Sequence, residues 1–170
     1  GWLVCGVTAP ETIAAHCYMV TVIALWFADH IEEEVDVERV LRIALLHDFG
    51  ETLLTDLPRP VKRFVGRDAM REAEAHAVDV AFEDMPDAWP NAYRAYDELD
   101  SLEARIVKVS DRIQMLAKSL QYIHQGRGDM RRFWRTDINF DDFGVPLARA
   151  VLDRLRRHYE EQTWFDSDFD

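Results

Sequence analysis

The stretch from Arg39 to Glu51 constrains this chain most, because an apolar segment there ends in three polar side chains. It reads Arg-Val-Leu-Arg-Ile-Ala-Leu-Leu-His-Asp-Phe-Gly-Glu. Its apolar residues would cover nearly all sides of a helix, which predicts a helix buried at the centre of an all-α domain. Such a helix should carry no charge, yet it ends in His47, Asp48 and Glu51.

A divalent cation would account for these three side chains. Adjacent residues on a helix point about 100° apart, so His47 and Asp48 cannot stack, but they can bind one ion between them. Glu51 follows His47 by one turn and shares its face. Burying an imidazole and a carboxylate is costly unless a partner such as a metal compensates both. The alternative is a helix that ends at Gly50, with ordinary polar residues in solvent.

Length and composition favour one all-α domain. The chain has 170 residues and 48% hydrophobic content, which is enough for a full core. We expect a single domain over residues 1–170, with its core in 8–125 and a C-terminal extension in 129–170. Apolar stripes at helical spacing predict a bundle of about six to seven helices, and no segment has a convincing strand pattern.

Charge and cysteine usage limit the possible partners and compartment. Lys and Arg number 20 against 32 Asp and Glu, and the resulting charge of −12 repels nucleic acid, which predicts no nucleic-acid partner. Cys5 and Cys17 lack metal-ligand spacing and would make a sparse disulfide framework, which favours a reducing cytoplasm. We see neither an apolar run of membrane-spanning length nor a secretion signal, so we expect a cytoplasmic protein without a membrane partner.

Two other predicted helices carry candidate ligands beside apolar stripes. The first is expected to begin at the capping-box spacing of residues Thr8 to Glu11. His16 lies beside its stripe, either as a hydrogen-bonded core histidine or as a ligand. The longest stripe runs from Leu102 to Ile123 and contains Asp111, which lies either on the exposed shoulder or turned into the core toward a cation.

Other polar and aromatic residues leave two interpretations open. Asp56, Lys62 and Arg63 lie in a proline-containing segment, which is either a polar surface loop or a place where one carboxylate and two cations meet the metal site. His76 is either a solvent-facing residue or a ligand for a second metal. Tyr96 belongs to a short helix whose aromatic residues predict core and interface packing.

The candidate ligands come from three different predicted helices whose apolar stripes face one core. They are His16, His47, Asp48 and Asp111. Two imidazoles and two carboxylates suit a divalent transition metal, namely Mn, Fe, Co, Ni or Zn, better than Ca or Mg, which prefer oxygen ligands alone.

In this order the pattern resembles the HD-domain superfamily of metal-dependent phosphohydrolases. The surrounding segments are similar to its 5′-deoxynucleotidase branch: Pro10-Glu-Thr-Ile-Ala-Ala-His16, Ala44-Leu-Leu-His-Asp-Phe-Gly-Glu51, Asp56-Leu-Pro-Arg-Pro-Val-Lys62 and Val107-Lys-Val-Ser-Asp111. The similarity runs from Trp2 to about Leu120. Some positions differ: Gly1 stands where some members have arginine, Cys5 and Gly6 lie near where others have arginine and asparagine, and Thr55 stands where a glycine is common.

The resemblance implies an all-α homodimer that hydrolyses the 5′-monophosphates of deoxynucleosides with a transition metal such as Co or Mn. Four residues match the metal ligands of the family: His16, His47, Asp48 and Asp111. Glu51 and Asp56 match acidic residues near the substrate and the attacking water. Trp2 matches a tryptophan that packs against the sugar. We further expect Lys62 or Arg63 to offset charge on the phosphoryl group.

Two other functions remain open at this stage. One is a non-catalytic module in which the metal site binds a nucleotide or holds helices together, although such a site needs neither Glu51 nor Asp56. The other is an HD-type di-iron oxygenase. It would need further histidine ligands for a second iron, and His76 is the one candidate.

Overall fold

In the computed structural model, which describes residues 1–55, 57, 61 and 64–163, all regular secondary structure is helical. The helices of ten residues or more are α1 (Ile13–His30), α2 (Val37–Leu46), α4 (Arg67–Ala81), α5 (Ala88–Glu98), α6 (Leu102–His124) and α8 (Ala148–Glu161). One-turn helices are α3 (Glu51–Leu54) and α7 (Arg131–Trp134), and 3-10 helices span Leu3–Cys5 and Asp137–Phe140. The all-α prediction is confirmed.

Polar side chains fix the starts of the helices that carry the site. The Thr12 hydroxyl accepts a hydrogen bond from the Ala15 N–H, so α1 begins after Thr12 and the start predicted at Thr8 is wrong. Asp36 accepts from the Arg39 N–H at the start of α2. Each cap satisfies a backbone donor that the first helical turn leaves unpaired.

Helices α1, α2 and α6 pack against one another and bury the main core. Residues of all three are fully inaccessible, and they include Val20, Ala24 and Phe27 of α1, Val40, Ile43 and Ala44 of α2, and Ile106, Val107, Val109 and Leu116 of α6. Within each helix the buried positions recur at three- or four-residue spacing, because one face meets its neighbours. This packing brings the first turn of α1, the end of α2 and the middle of α6 together.

The prediction that α2 is buried on all sides is wrong. Leu45 is 57% exposed, and Glu38 and Arg39 also lie on the solvent side of the helix. Only the stripe through Val40 and Ile43 faces the core. Arg39 and Arg42 lie on the solvent side, so α2 is amphipathic although most of its residues are apolar.

The C-terminal residues share the main core. Leu152 of α8 is fully buried, and Trp134 of α7 stacks on Tyr159 of α8 with ring centroids 4.3 Å apart. The predicted division into a core and a C-terminal extension stays a prediction.

By length and composition α1 could cross a membrane, since its 18 residues have a mean hydropathy of 1.3. The expectation that no apolar run reaches this length is therefore wrong for α1, whose scattered polar residues include few charges. The core helix of a soluble protein meets the same criteria, and α1 packs against α2 and α6.

Candidate metal centre

The predicted ligands lie where α1, α2 and α6 meet: ligand atoms of His16, His47 and Asp48 are all within 4.8 Å of one another, and Asp111 lies beside His16. His16 Nε2 lies 3.3 Å from His47 Nε2, 3.4 Å from Asp48 Oδ2 and 3.5 Å from Asp111 Oδ1. His47 Nε2 is also 3.4 Å from Asp48 Oδ2. Asp111 is thus turned toward the core, the second of the two placements considered from the sequence.

Local backbone structure explains how α2 presents two adjacent ligands. The helix ends at Leu46, and His47 is its C-cap residue with helical backbone angles. The chain then turns, so Asp48 precedes α3 instead of continuing α2. Two side chains that would point about 100° apart on a regular helix therefore reach one point.

The hydrogen bonds of the two imidazoles test whether the site fits a metal. The Ala44 carbonyl accepts from His47 Nδ1 at 2.8 Å, and Gln114 Oε1 accepts from His16 Nδ1 at 2.7 Å. Since these oxygens only accept, both Nδ1 atoms carry protons and both Nε2 atoms are left for a metal. Ligand atoms about 2.0–2.2 Å from one metal are roughly 3–3.5 Å apart, which matches the separations found here. The donor set therefore fits a divalent transition metal.

The charges at this point also favour a cation. Burial alone would lower the pKa of His16, but the hydrogen bond and charge of Asp111 and the charge of Asp48 raise it to about 9. Burial alone would raise the pKa of Asp111. The hydrogen bond with His16 and the electrostatic interactions with His47 and Arg112 hold the pKa of Asp111 well below its usual range. In the metal-free protein, a proton on His16 Nε2 therefore compensates the charge of the two carboxylates, and a metal ion would have to replace it.

Tyr96 adds a hydrogen bond that the sequence did not predict. Its hydroxyl donates to Asp111 Oδ2 at 2.6 Å, which leaves Oδ1 facing His16. Burial and the nearby charges of Asp111 and Asp48 raise the pKa of Tyr96 well above its ordinary value, so the phenol stays a donor. The ammonium group of Lys108 lies 3.6 Å from the centre of the Tyr96 ring.

A pocket of about 150 Å³ opens beside the centre. Its lining includes Asp48, Glu51, Thr55, Tyr93, Tyr96 and Asp97. Glu51, the first residue of α3, therefore lies in the same pocket as His47 although α2 does not continue to it. A larger pocket of about 360 Å³ lies between α2 and α5, near Arg39 and Asn91, and its described lining contains none of the four candidate ligands.

The other predicted site residues have different outcomes. Asp56, Lys62 and Arg63 lie outside the described residues. The Trp2 ring packs against Tyr122 and Phe133, with centroids 5.2 and 5.0 Å away, and among the described residues it does not line the pocket beside His47. Its predicted contact with a sugar stays a prediction.

His76 is exposed on α4. Within the described residues, the ligand atoms that lie mutually close enough to hold a metal belong to His16, His47 and Asp48. Asp111 is outside this group but has Oδ1 3.5 Å from His16 Nε2, whereas no such contact links His76 to the group among the described residues. The structure therefore gives no support to His76 as a ligand of a second metal.

Sequence reasoning missed Glu11, Gln114 and the polar role of Tyr96. Gln114 donates from Nε2 to Glu11 Oε2 at 2.9 Å, and Glu11 is separated from Gln114 by 103 positions. One local signal was present, because Gln114 follows Asp111 by three residues and so shares its face of α6.

Comparison with known proteins identifies the family. The HD domain family model matches residues 1–139. The chain is 28% identical over 168 residues to 5′-deoxynucleotidase YBR242W of Saccharomyces cerevisiae, covering 92% of this chain and 63% of that protein. It is 24% identical over 173 residues to 5′-deoxynucleotidase hdd1 of Schizosaccharomyces pombe, covering 96% and 83%.

A solved structure has the same fold. The PH0347 protein from Pyrococcus horikoshii superposes with a TM-score of 0.76 at 30% identity, and the match covers 92% of this chain and 89% of that one. The family match includes all four candidate ligands, from His16 on α1 to Asp111 on α6. This chain therefore belongs to the HD domain family.

Proposed function

We propose that this protein is a metal-dependent phosphohydrolase that removes the 5′-phosphate from deoxynucleoside monophosphates. The observation that carries the proposal is the convergence of two imidazole nitrogens and two carboxylates beside a pocket that also contains Glu51. The relatives named 5′-deoxynucleotidase support the substrate class.

His16, His47, Asp48 and Asp111 would hold the metal. When bound, a divalent transition metal supplies Lewis acidity to a phosphate oxygen and makes a water acidic near neutral pH, where free water has a pKa of about 15.7. Two imidazoles among the ligands favour Mn, Fe, Co, Ni or Zn.

Glu51 is placed to act as the general base or the general acid of the reaction. From the pocket beside His47 and Asp48, its carboxylate either orients and deprotonates the attacking water or protonates the leaving 5′-oxygen. In either role, water oxygen forms the new bond to phosphorus while the bond from phosphorus to the 5′-oxygen breaks. The products are inorganic phosphate and a nucleoside with a free 5′-hydroxyl.

The substrate must bring a dianionic phosphate into an acidic pocket. Asp48, Glu51 and Asp97 line it, so a positive charge is needed to offset their repulsion of phosphate. We assign that charge to the metal and to Lys62 or Arg63. Asp56 would contact the substrate together with Glu51, and Trp2 would pack against the sugar.

The assembly and compartment of the protein are also part of the proposal. Helix α1 exposes apolar side chains on one face, namely Tyr18, Met19, Val22 and Trp26. We propose that a second copy of the chain covers this face to form a homodimer, because such a patch is costly to leave in water. The two buried free cysteines are compatible with a reducing cytoplasm.

The test is a substrate panel on protein loaded with Mn, Co or Zn. Phosphate release is measured for the four dNMPs, the matching NMPs and an aryl phosphate, with chelator-treated protein and Asp48→Ala as controls. Metal-dependent release from dNMPs supports the proposal. Tight metal binding without turnover of any ester would overturn it in favour of the non-catalytic binding module.

A further inference from the structure

A chain of polar contacts leads to His16 from outside the metal centre. Lys118 Nζ lies 3.6 Å from Glu11 Oε2, and the same oxygen accepts a hydrogen bond of 2.9 Å from Gln114 Nε2. Gln114 Oε1 in turn accepts the hydrogen bond of 2.7 Å from His16 Nδ1. A carboxylate, an amide and a metal ligand are thereby linked in series.

This chain is buried. The side chain of Glu11 is 6% exposed and Gln114 is 4% exposed. The backbone N–H of Glu11 donates to the Tyr122 hydroxyl at 2.8 Å, which ties the segment before α1 to α6. Positions this enclosed allow few alternative arrangements of the hydrogen bonds.

Glu11 is a costly residue for a purely structural role. Its second carboxylate oxygen, Oε1, is buried and accepts no hydrogen bond among the described residues. An unsatisfied buried acceptor destabilises the fold, and an apolar residue of similar size would avoid that cost. A polar acceptor at position 11 therefore calls for a role other than stability.

The chemistry of each group fixes the direction of the chain. A carboxylate only accepts hydrogen bonds, so the Gln114 atom facing Glu11 must be its NH₂ group. The amide oxygen then faces His16 and also only accepts, so His16 Nδ1 must donate. Nε2, which faces Asp48 and Asp111, is consequently the ring nitrogen left to bind a metal.

We propose that Glu11 and Gln114 are positioning residues that hold His16 in the orientation and tautomer that bind the metal. The two imidazoles reach this state differently. His47 is fixed by the backbone carbonyl of Ala44, which no side-chain substitution removes. His16 depends on two side chains. The inference rests on the metal site of the proposed function and does not depend on which reaction that site catalyses.

The test measures zinc affinity by competition with a chromogenic chelator. Gln114→Leu keeps the approximate size of the side chain but removes the acceptor for His16. Loss of such a supporting hydrogen bond lowers metal affinity by about 10–100-fold, and we expect a decrease in this range. The matched control is Ser119→Ala on the same helix. It is also buried and loses a hydrogen bond to the Leu116 carbonyl, and it should bind zinc like the wild type.

Nitrogen NMR of the zinc-loaded protein provides a readout that is independent of affinity. In the wild type, we expect His16 Nδ1 to give an imidazole N–H signal protected from solvent exchange by Gln114. In Gln114→Leu this protection should be lost, while the corresponding signal of His47 remains.

A second pair of variants tests Glu11. Glu11→Gln retains an oxygen that accepts from the Gln114 amide, so its zinc affinity should stay close to that of the wild type. Glu11→Leu removes the acceptor and lets the Gln114 amide rotate, so its affinity should fall as in Gln114→Leu.

Three results would overturn the inference. The first is a folded Gln114→Leu protein with wild-type zinc affinity. The second, which decides the matter if Gln114→Leu does not fold, is equal affinity in Glu11→Gln and Glu11→Leu. The third is a wild-type protein that binds no zinc, and it alone would also remove the metal site on which the proposed function depends.

Discussion

Metal affinity should rise steeply with pH, because a proton on His16 occupies the place of the metal. In the metal-free protein the pKa of His16 is raised to about 9, since Asp111 and Asp48 outweigh the effect of burial. A metal can bind Nε2 only after that proton has left. Well below this pKa, affinity gains about tenfold for each pH unit, and the gain flattens near it, so raising the pH from 7 to 8.5 should strengthen binding by about 25-fold.

The same pKa has a consequence for the stability of the metal-free protein. The folded-state pKa of about 9 lies above the ordinary value of 6.5, so protonated His16 stabilises the fold. This stabilisation is fully present below about pH 6.5 and is lost as the pH rises through about 9. The difference corresponds to on the order of 3 kcal/mol, and the Tm of the metal-free protein should fall over that interval.

Chelator competition at several pH values, corrected for the protonation of the chelator, measures the affinity. His76→Ala serves as the control, since His76 is an exposed histidine on α4 and its removal should leave the pH slope unchanged. An affinity that stays constant between pH 7 and 8.5 would refute the reasoning, because it would mean that no proton has to leave His16.

Three further predictions concern single residues. Asp111→Ala should lose most bound metal as well as activity, because it removes one of four ligands, and elemental analysis checks this; a full equivalent of metal would exclude Asp111 as a ligand. Glu51→Gln should keep the metal and lose on the order of 10²–10⁴-fold in kcat; a small change in kcat with a raised KM would make Glu51 a binding residue. If the Trp2 indole packs against C2′ of the sugar, it should exclude a 2′-hydroxyl and favour dNMP over NMP by about 10–200-fold in kcat/KM. Trp2→Ala should reduce this preference, mainly by raising kcat/KM for the ribonucleotide. A proportional loss of both activities would make Trp2 structural.

The sequence predicted those features of the site that burial dictates. Residues 102–123 were predicted as one long helix, and α6 spans Leu102–His124. His16 and Asp111 lie beside apolar stripes of their helices, and such stripes must face a common core, so the two residues could be placed near one another without coordinates.

The sequence was less informative wherever a feature depends on distant residues. Tyr96 and Asp111 are 15 positions apart, and His16 and Gln114 are 98 positions apart. Helical spacing relates residues only within a few turns, so it identifies the face of a helix but not the partner across the interface. For that reason Tyr96 was interpreted as a packing residue and Gln114 was not singled out.

The exposed face of α2 was not predicted for a different reason. Six of the seven residues from Val40 to Leu46 are apolar, so the helical period of 3.6 cannot be recognised from the apolar residues alone. They do not show that Leu45 is exposed while Leu46 is buried. Arg39 and Arg42 carried the information, because a charged side chain without a buried partner marks the solvent side. Arg42 pairs there with Glu38, one turn away.

His47, His16 and Asp111 each have a hydrogen bond on the atom that does not face the centre. For His47 the partner is a backbone carbonyl, for His16 it is the Gln114 amide, and for Asp111 it is the Tyr96 hydroxyl. Each bond determines which atom of its ligand is left for the metal, so the geometry of the site is set before any metal arrives. This preorganisation, together with the proton that His16 carries in the metal-free protein, explains how two carboxylates can both face His16 Nε2 in a packed core.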